Sequence, residues 1–115
     1  MARFVLLYHE CPPAVGKPSH WDLMLERDGR LLTWSLAALP AIWGGDGATD
    51  GQSLAATRLA DHRVAYLDYE GPISGDRGRV TRVERGEYDV LAEMDNEIRV
   101  RLCGERGELV VVLRY

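Results

Sequence analysis

Cysteine, lysine and long apolar runs are scarce in this sequence, and each scarcity excludes a class of protein. Cys11 and Cys103 are the only two cysteines and form no Cys-x-x-Cys pair, so no disulfide framework of the kind that staples small secreted scaffolds is available. A reducing cytosol is the simpler setting for them, with a single bridge between the two as the alternative. No stretch approaches the roughly 18 consecutive apolar residues of a membrane span, and the start, Met1 to Glu10, is too short and too soon charged for a secretory signal. The expectation is a cytoplasmic protein with no membrane segment. Of the 14 basic residues only Lys17 is a lysine, and 18 acidic residues leave a net charge of −4. That balance argues against a protein that coats nucleic acid non-specifically, because such affinity comes from counterion release by many cations. A small site for one phosphate is still compatible with it. There is no internal repeat, heptad or low-complexity tail, and the glycine-rich stretch Gly44–Gly51 lacks the Gly-Lys-Ser/Thr ending of a phosphate-gripping Walker loop.

What is present is enough for one core. A chain of 115 residues with a hydrophobic share of 46% buries roughly two-thirds of its unfolded surface, so it folds as a single domain without a structural metal. Any metal is therefore functional first. Short β-type runs dominate: Arg3–Tyr8, His20–Glu26, Leu31–Leu36, Arg63–Asp68, Arg79–Glu84, Tyr88–Glu93, Glu97–Cys103 and Leu109–Arg114. Gly, Asp and Asn clusters separate them, for example Arg27-Asp28-Gly29-Arg30, Arg85-Gly86-Glu87 and Asp95-Asn96. This pattern predicts a mostly β fold, a compact antiparallel β-barrel with long loops and at most one or two short helices. Gln52–Leu59 is the best helix candidate. Cys11–Ser19, with three prolines, and Gly44–Gly51 are loops. Trp34 and Trp43 are expected in the core.

The chemistry concentrates in one strand. His20-Trp21-Asp22-Leu23-Met24-Leu25-Glu26 alternates strictly, so His20, Asp22, Met24 and Glu26 share one face while Trp21, Leu23 and Leu25 face the core. An imidazole and a carboxylate two residues apart lie about 7 Å from each other along a strand, near enough to reach one ion. His9 is the natural third ligand if the first strand pairs beside the second. Two His and one carboxylate suit Mn²⁺, Fe²⁺ or Zn²⁺ and leave positions open for water or a phosphate oxygen. Taken singly, a histidine near a strand end is more often an ordinary surface or hydrogen-bonded residue than a ligand.

His62 is distant in sequence. In the same cavity it could donate to a bound phosphate or protonate a leaving oxygen, with the Tyr66 hydroxyl beside it; the alternative for Tyr66 and Tyr69 is a half-buried strand aromatic. Arg77, Arg79, Arg82 and Arg85 could track a phosphate backbone. The interleaved Glu84 and Glu87 favour a solvated, ion-paired face instead.

Taken in order, Phe4-Val5-x-x-x-His9, His20-x-Asp22-x-x-Leu25-Glu26-x-Asp28-Gly29-x-Leu31, Trp34, Asp61-His62-x-x-x-Tyr66-x-Asp68-Tyr69-Glu70-Gly71-x-Ile73 and Arg85-Gly86-x-Tyr88 resemble the 3′-phosphoesterase domain of bacterial ligase D. The resemblance spans about residues 4 to 88. It implies a compact β-barrel that trims 3′ ends at DNA breaks, removing terminal ribonucleosides and 3′-phosphates with Mn²⁺, Zn²⁺ being the other candidate ion. It also implies metal ligands at His9, His20 and Asp22, a phosphate-contacting catalytic histidine at His62, and an active-site tyrosine at Tyr66. Its expected partners are a nucleic-acid 3′ end or a small phosphate ester, and proteins of DNA repair.

The chain departs from the family pattern at the phosphate clamps. Met24 stands where the family has an Arg, and Trp34-Ser35-Leu36-Ala37-Ala38-Leu39-Pro40 lacks the Lys that follows the family's Trp. Arg58, Arg77 and Arg79 are the remaining candidates for weak phosphate binding. The family's Ile-Pro-Glu-Gly-x-Tyr-Gly loop is reduced to Ile73-Ser74-Gly75-Asp76-Arg77-Gly78, and the proline loop lengthens the spacing from His9 to His20. The resemblance describes a free-standing, shortened relative. Three functions follow: a metal-dependent phosphoesterase, a catalytically weakened metal-binding module of the same fold, or a structural β domain without metal. The sequence specifies no oligomeric state.

Overall fold

The computed structural model describes residues 2–39 and 53–115; the Gly44–Gly51 loop and Trp43 lie outside them. Eight strands follow in order: β1 (Arg3–Glu10), β2 (His20–Arg27), β3 (Arg30–Leu36), β4 (Ser53–His62), β5 (Gly71–Pro72), β6 (Arg79–Met94), β7 (Glu97–Gly104) and β8 (Gly107–Arg114). They form one sheet in the order β1-β2-β3-β4-β8-β7-β6-β5, and a further pairing of β1 with β6 closes it into a ring. The ring is antiparallel except where β4 runs parallel to β8. The expected mostly β class therefore holds, as a closed but irregular ring with one parallel join. No described helix is long and apolar enough to cross a membrane.

Alternation sorts the side chains into two layers. Phe4, Leu6, Leu23, Leu25, Trp34, Tyr88 and residues of β7 and β8 fill the interior of the ring. Val5, Leu7, Met24, Leu31, Leu67 and Val80 form a second apolar cluster on the outside of the same wall, with Val64, Tyr66 and Ile73 packed against it. β1 is apolar on both faces because both faces are covered: the segment from His62 to Gly78 lies over it as a roof.

Three local expectations are corrected, and one alternative is removed. Arg63–Asp68 is not a strand; residues Val64–Leu67 make a 3-10 turn, whose three-residue period puts Val64 and Leu67 on one side against the second cluster. Arg85-Gly86-Glu87 is not a turn, since β6 runs unbroken from Arg79 to Met94. Gly86 is needed there because a side-chain carbon would sit 1.9 Å from the Cys103 carbonyl oxygen on the neighbouring strand. Of the helix candidate Gln52–Leu59, Gln52 lies outside the described residues and the rest is not helical: Ser53–His62 is strand β4, whose pairing on both edges overrides the modest helix propensity of its alanines and leucines. Cys11 and Cys103 are free thiols, so the bridge is not formed.

The far end of the ring is fastened by a buried carboxylate. Glu84 is 3% exposed and accepts backbone N–H bonds from Arg85 at 2.9 Å, Glu105 at 2.9 Å and Arg106 at 2.8 Å, tying β6 to the β7–β8 turn. Its neighbour must be glycine, because a side-chain carbon at Gly104 would lie 2.5 Å from the carboxyl carbon. Glu84→Ala leaves these donors without their acceptor and should cost about 2–3 kcal/mol in urea unfolding; a loss below measurement error would show that the turn is held by other means.

Candidate active site

β1 and β2 pair antiparallel with His9 opposite His20 and Leu7 opposite Asp22. The alternation expected in β2 is observed, so His20, Asp22 and Met24 project to the outer side of the ring, where the roof comes down. Gly78, at φ +99°, allows that roof to close: a side-chain carbon there would lie 1.8 Å from the Glu10 carbonyl oxygen. His9, Asp22, Met24, His62, Tyr66, Ile73, Arg77 and Val80 line a cavity of about 120 Å³ between wall and roof. On the other side of His20 a wider groove of about 510 Å³ runs past Lys17, Ser19, Ser35 and Thr57.

Each of the three imidazoles is held by a backbone carbonyl. His9 Nε2 lies 2.8 Å from the Arg77 oxygen, His20 Nδ1 3.0 Å from the Pro18 oxygen, and His62 Nδ1 2.9 Å from the Ala60 oxygen. A carbonyl only accepts, so each of these ring nitrogens carries the proton and donates it. In a neutral ring the other nitrogen then carries a lone pair. For His9 that is Nδ1, 3.7 Å from Asp22 Oδ2, and for His20 it is Nε2, 3.2 Å from Asp22 Oδ1. Two lone pairs and a carboxylate thus face one point.

The carboxylate itself is buried, with the Asp22 residue 3% exposed. Its Oδ1 has no hydrogen bond, with His20 Nε2 only 3.2 Å away. Burial is the largest influence on Asp22 and pushes its pKa above the usual 3.8, opposed by the nearby His20, His9, His62 and Lys17. A buried acid without a donor, faced by two lone pairs, is the donor set of a two-histidine, one-carboxylate cation site. The residues fit a divalent ion.

The other candidates are placed as follows. The His62 and Tyr66 rings stand edge to face at 5.7 Å between centroids, and Tyr66 meets Tyr69 in the same way at 5.8 Å. Arg77 lines the cavity, with its guanidinium on the Ser74 carbonyl at 2.8 Å and the Ser74 hydroxyl at 3.2 Å. Arg58 is not brought to the site. It pairs across from Trp34, on the face opposite to Asp22, stacks over that indole at 4.8 Å, and bonds to Thr33, Leu59 and Asp61. That bond holds the Asp61 carboxyl below its ordinary range. Arg79 is exposed and does not line the cavity, since its neighbour Val80 takes the inward position. Arg82 and Arg85 are ion-paired with Glu70 and Glu105, in agreement with the solvated face expected for the arginine run.

The sequence reading missed Cys11. Its sulfur and one nitrogen of each of His9 and His20 all lie within 4.8 Å of one another. The spacing His9-x-Cys11, two residues along a strand edge, was the available signal.

A closed β ring whose outer wall presents a His, His, carboxylate set under a tyrosine-bearing roof has the donors to hold a metal ion. The chain belongs to the DNA ligase D 3′-phosphoesterase domain family, whose model matches residues 14–113. The matched residues include His20, Asp22, His62 and Tyr66, and begin after His9 and Cys11. No curated protein matches the chain at a significant level.

Because the folded Asp22 holds its proton more tightly than an unfolded Asp, the stability linked to it is complete below the unfolded pKa and is lost as pH rises through the folded one. Asp22→Asn should therefore stabilise the metal-free protein at pH 7 by about 1–3 kcal/mol, the usual cost of an unsatisfied buried polar group, and give no such gain at pH 3. Melts of chelator-treated protein at the two pH values check this; an Asn variant less stable than wild type at pH 7 would contradict it.

Proposed function

We propose that this domain is a divalent-metal-dependent phosphoesterase that acts on nucleic-acid 3′ ends, removing a 3′-phosphate or a 3′-terminal ribonucleoside, in the service of DNA repair. The observation that carries the reading is the convergence of His9 Nδ1 and His20 Nε2 on the buried Asp22 carboxylate in a chain of this family. His9, His20 and Asp22 would hold the ion. A hard, mixed imidazole and carboxylate set favours Mn²⁺, with Zn²⁺ as the competitor. When bound, the ion supplies Lewis acidity to a phosphoryl oxygen.

The remaining steps belong to the chain. His62, with its Nδ1 proton fixed on Ala60, presents Nε2 as the atom that takes or returns a proton at the ester oxygen. Tyr66, edge-on to His62, places a hydroxyl donor at the same cavity. Arg77 is the cation able to turn from Ser74 towards a bound phosphate. The roof over Val5, Leu7 and Met24 excludes water from the floor, which strengthens each of these contacts. With a net charge of −4, the domain has little to hold duplex DNA, so affinity centres on the end group and weakens with salt.

A second reading rests on Met24. It is 1% exposed and puts a thioether on the cavity floor where the family places a guanidinium, so a phosphate would lack a forked donor. On that reading the domain binds metal and a phosphate ligand without turnover.

Mn²⁺ should raise the melting temperature of chelator-treated wild type but not of Asp22→Ala, and the wild type should release phosphate from a 3′-phosphorylated primer-template. His62→Ala should keep the Mn²⁺ shift and lose about 10²–10⁴ in kcat, whereas Met24→Arg should gain about tenfold or more. A Mn²⁺ shift with no phosphate release, unrepaired by Met24→Arg, would favour the binding module.

A further inference from the structure

Cys11 directly follows β1, two residues beyond His9. Its backbone N–H donates to the Ser19 hydroxyl at 3.0 Å, which brings the two ends of the proline loop together beside the metal-type cluster. Its free thiol is part-buried, and the sulfur lies 3.9 Å from His20 Nδ1. That nitrogen is on the side of the ring away from Asp22, which faces Nε2 at 3.2 Å. The imidazole of His20 therefore stands between two groups able to ligate a metal, a carboxylate on one side and a thiol on the other. The family match begins at residue 14, after Cys11. The buried Asp22 oxygen without a hydrogen bond is an independent sign that this cluster is shaped to receive a cation.

We infer that Cys11 is a metal ligand, and that the domain carries two overlapping donor sets that share His9 and His20. The hard set is closed by Asp22 and the soft set by Cys11. Thiolate and imidazole together select thiophilic ions such as Zn²⁺ and Co²⁺, whereas carboxylate and imidazole favour Mn²⁺. Because both sets draw on the same two imidazoles, an ion held with Cys11 competes with one held with Asp22. An ion bound to Cys11 displaces the thiol proton to solvent. The thiolate assignment stands on Cys11 and His20 alone; only its competition with Mn²⁺ rests on the function proposed above.

The test uses Co²⁺ as a spectroscopic probe of the chelator-treated full chain. Wild type, Cys103→Ser and Asp22→Asn should each develop the sulfur-to-cobalt charge-transfer band in the near ultraviolet, and added Zn²⁺ should bleach it. Cys11→Ser should show no band and bind Zn²⁺ about tenfold or more weaker, which is about 1.4 kcal/mol or more, while keeping its Mn²⁺ melting shift. A wild type without the band, or a band that survives in Cys11→Ser, overturns the assignment. A Mn²⁺ shift with no cobalt–sulfur band removes this inference and leaves the proposed function standing; a band with no Mn²⁺ shift does the reverse.

Discussion

Three backbone carbonyls determine what this site can be. Arg77, Pro18 and Ala60 each accept an N–H from one of the three histidines, and by doing so decide which nitrogen of each ring is left as a base. For His9 and His20 the remaining nitrogens both face Asp22, a carboxylate withdrawn from water. Asp22 Oδ1 is buried without a hydrogen bond, which costs free energy. That cost is borne by the fold because β1 and β2 are locked in register by apolar contacts on both of their faces. The site is thus destabilised by design of the sheet, which is the ordinary condition of functional sites.

The same constraint explains the division of labour along the chain. The ring interior supplies rigidity through β7 and β8, whose inward residues Ile98, Val100, Leu102, Val111 and Leu113 carry no reactive group. Chemistry is confined to the outer face of β1 and β2 and to the roof that covers it. Glu84 lies on the other side of β1, opposite Leu6, and spans three backbone donors, a purely structural use of a buried carboxylate. Asp22 and Glu84 are equally buried, yet one is saturated with donors and the other faces acceptors. The contrast in hydrogen bonding, more than burial, separates a structural acid from a functional one.

How much of this could be read in the sequence follows from the period of a strand. His20-Trp21-Asp22 puts its imidazole and carboxylate on one face whatever the strand's neighbours are, so that pair was legible. The meeting with His9 needed the β1–β2 pairing, which the two apolar runs suggested and the register confirms. Arg58 shows the limit: which face of β4 it takes depends on register against β3, where a bulge intervenes between Leu31 and Thr33, and nothing local announces that shift. Gly86 misled for a related reason. A glycine marks either a turn or a close backbone approach, and only the position of Cys103 decides between them. Cys11 was passed over because a proline-rich loop follows it at once; His9-x-Cys11 gains meaning only when His20 is folded against it.

The account stands or falls on the placement of two protons. Nitrogen-15 NMR of the metal-free protein near pH 7.5, with the imidazoles labelled, reports directly which ring nitrogen of each histidine is protonated. The predicted result is His9 protonated at Nε2 and His20 at Nδ1, with both assignments unchanged in Cys11→Ser. A His20 ring protonated at Nε2 in the absence of metal would mean that Asp22 is already satisfied by an N–H, and the cluster would be a hydrogen-bonded pair rather than a site awaiting an ion.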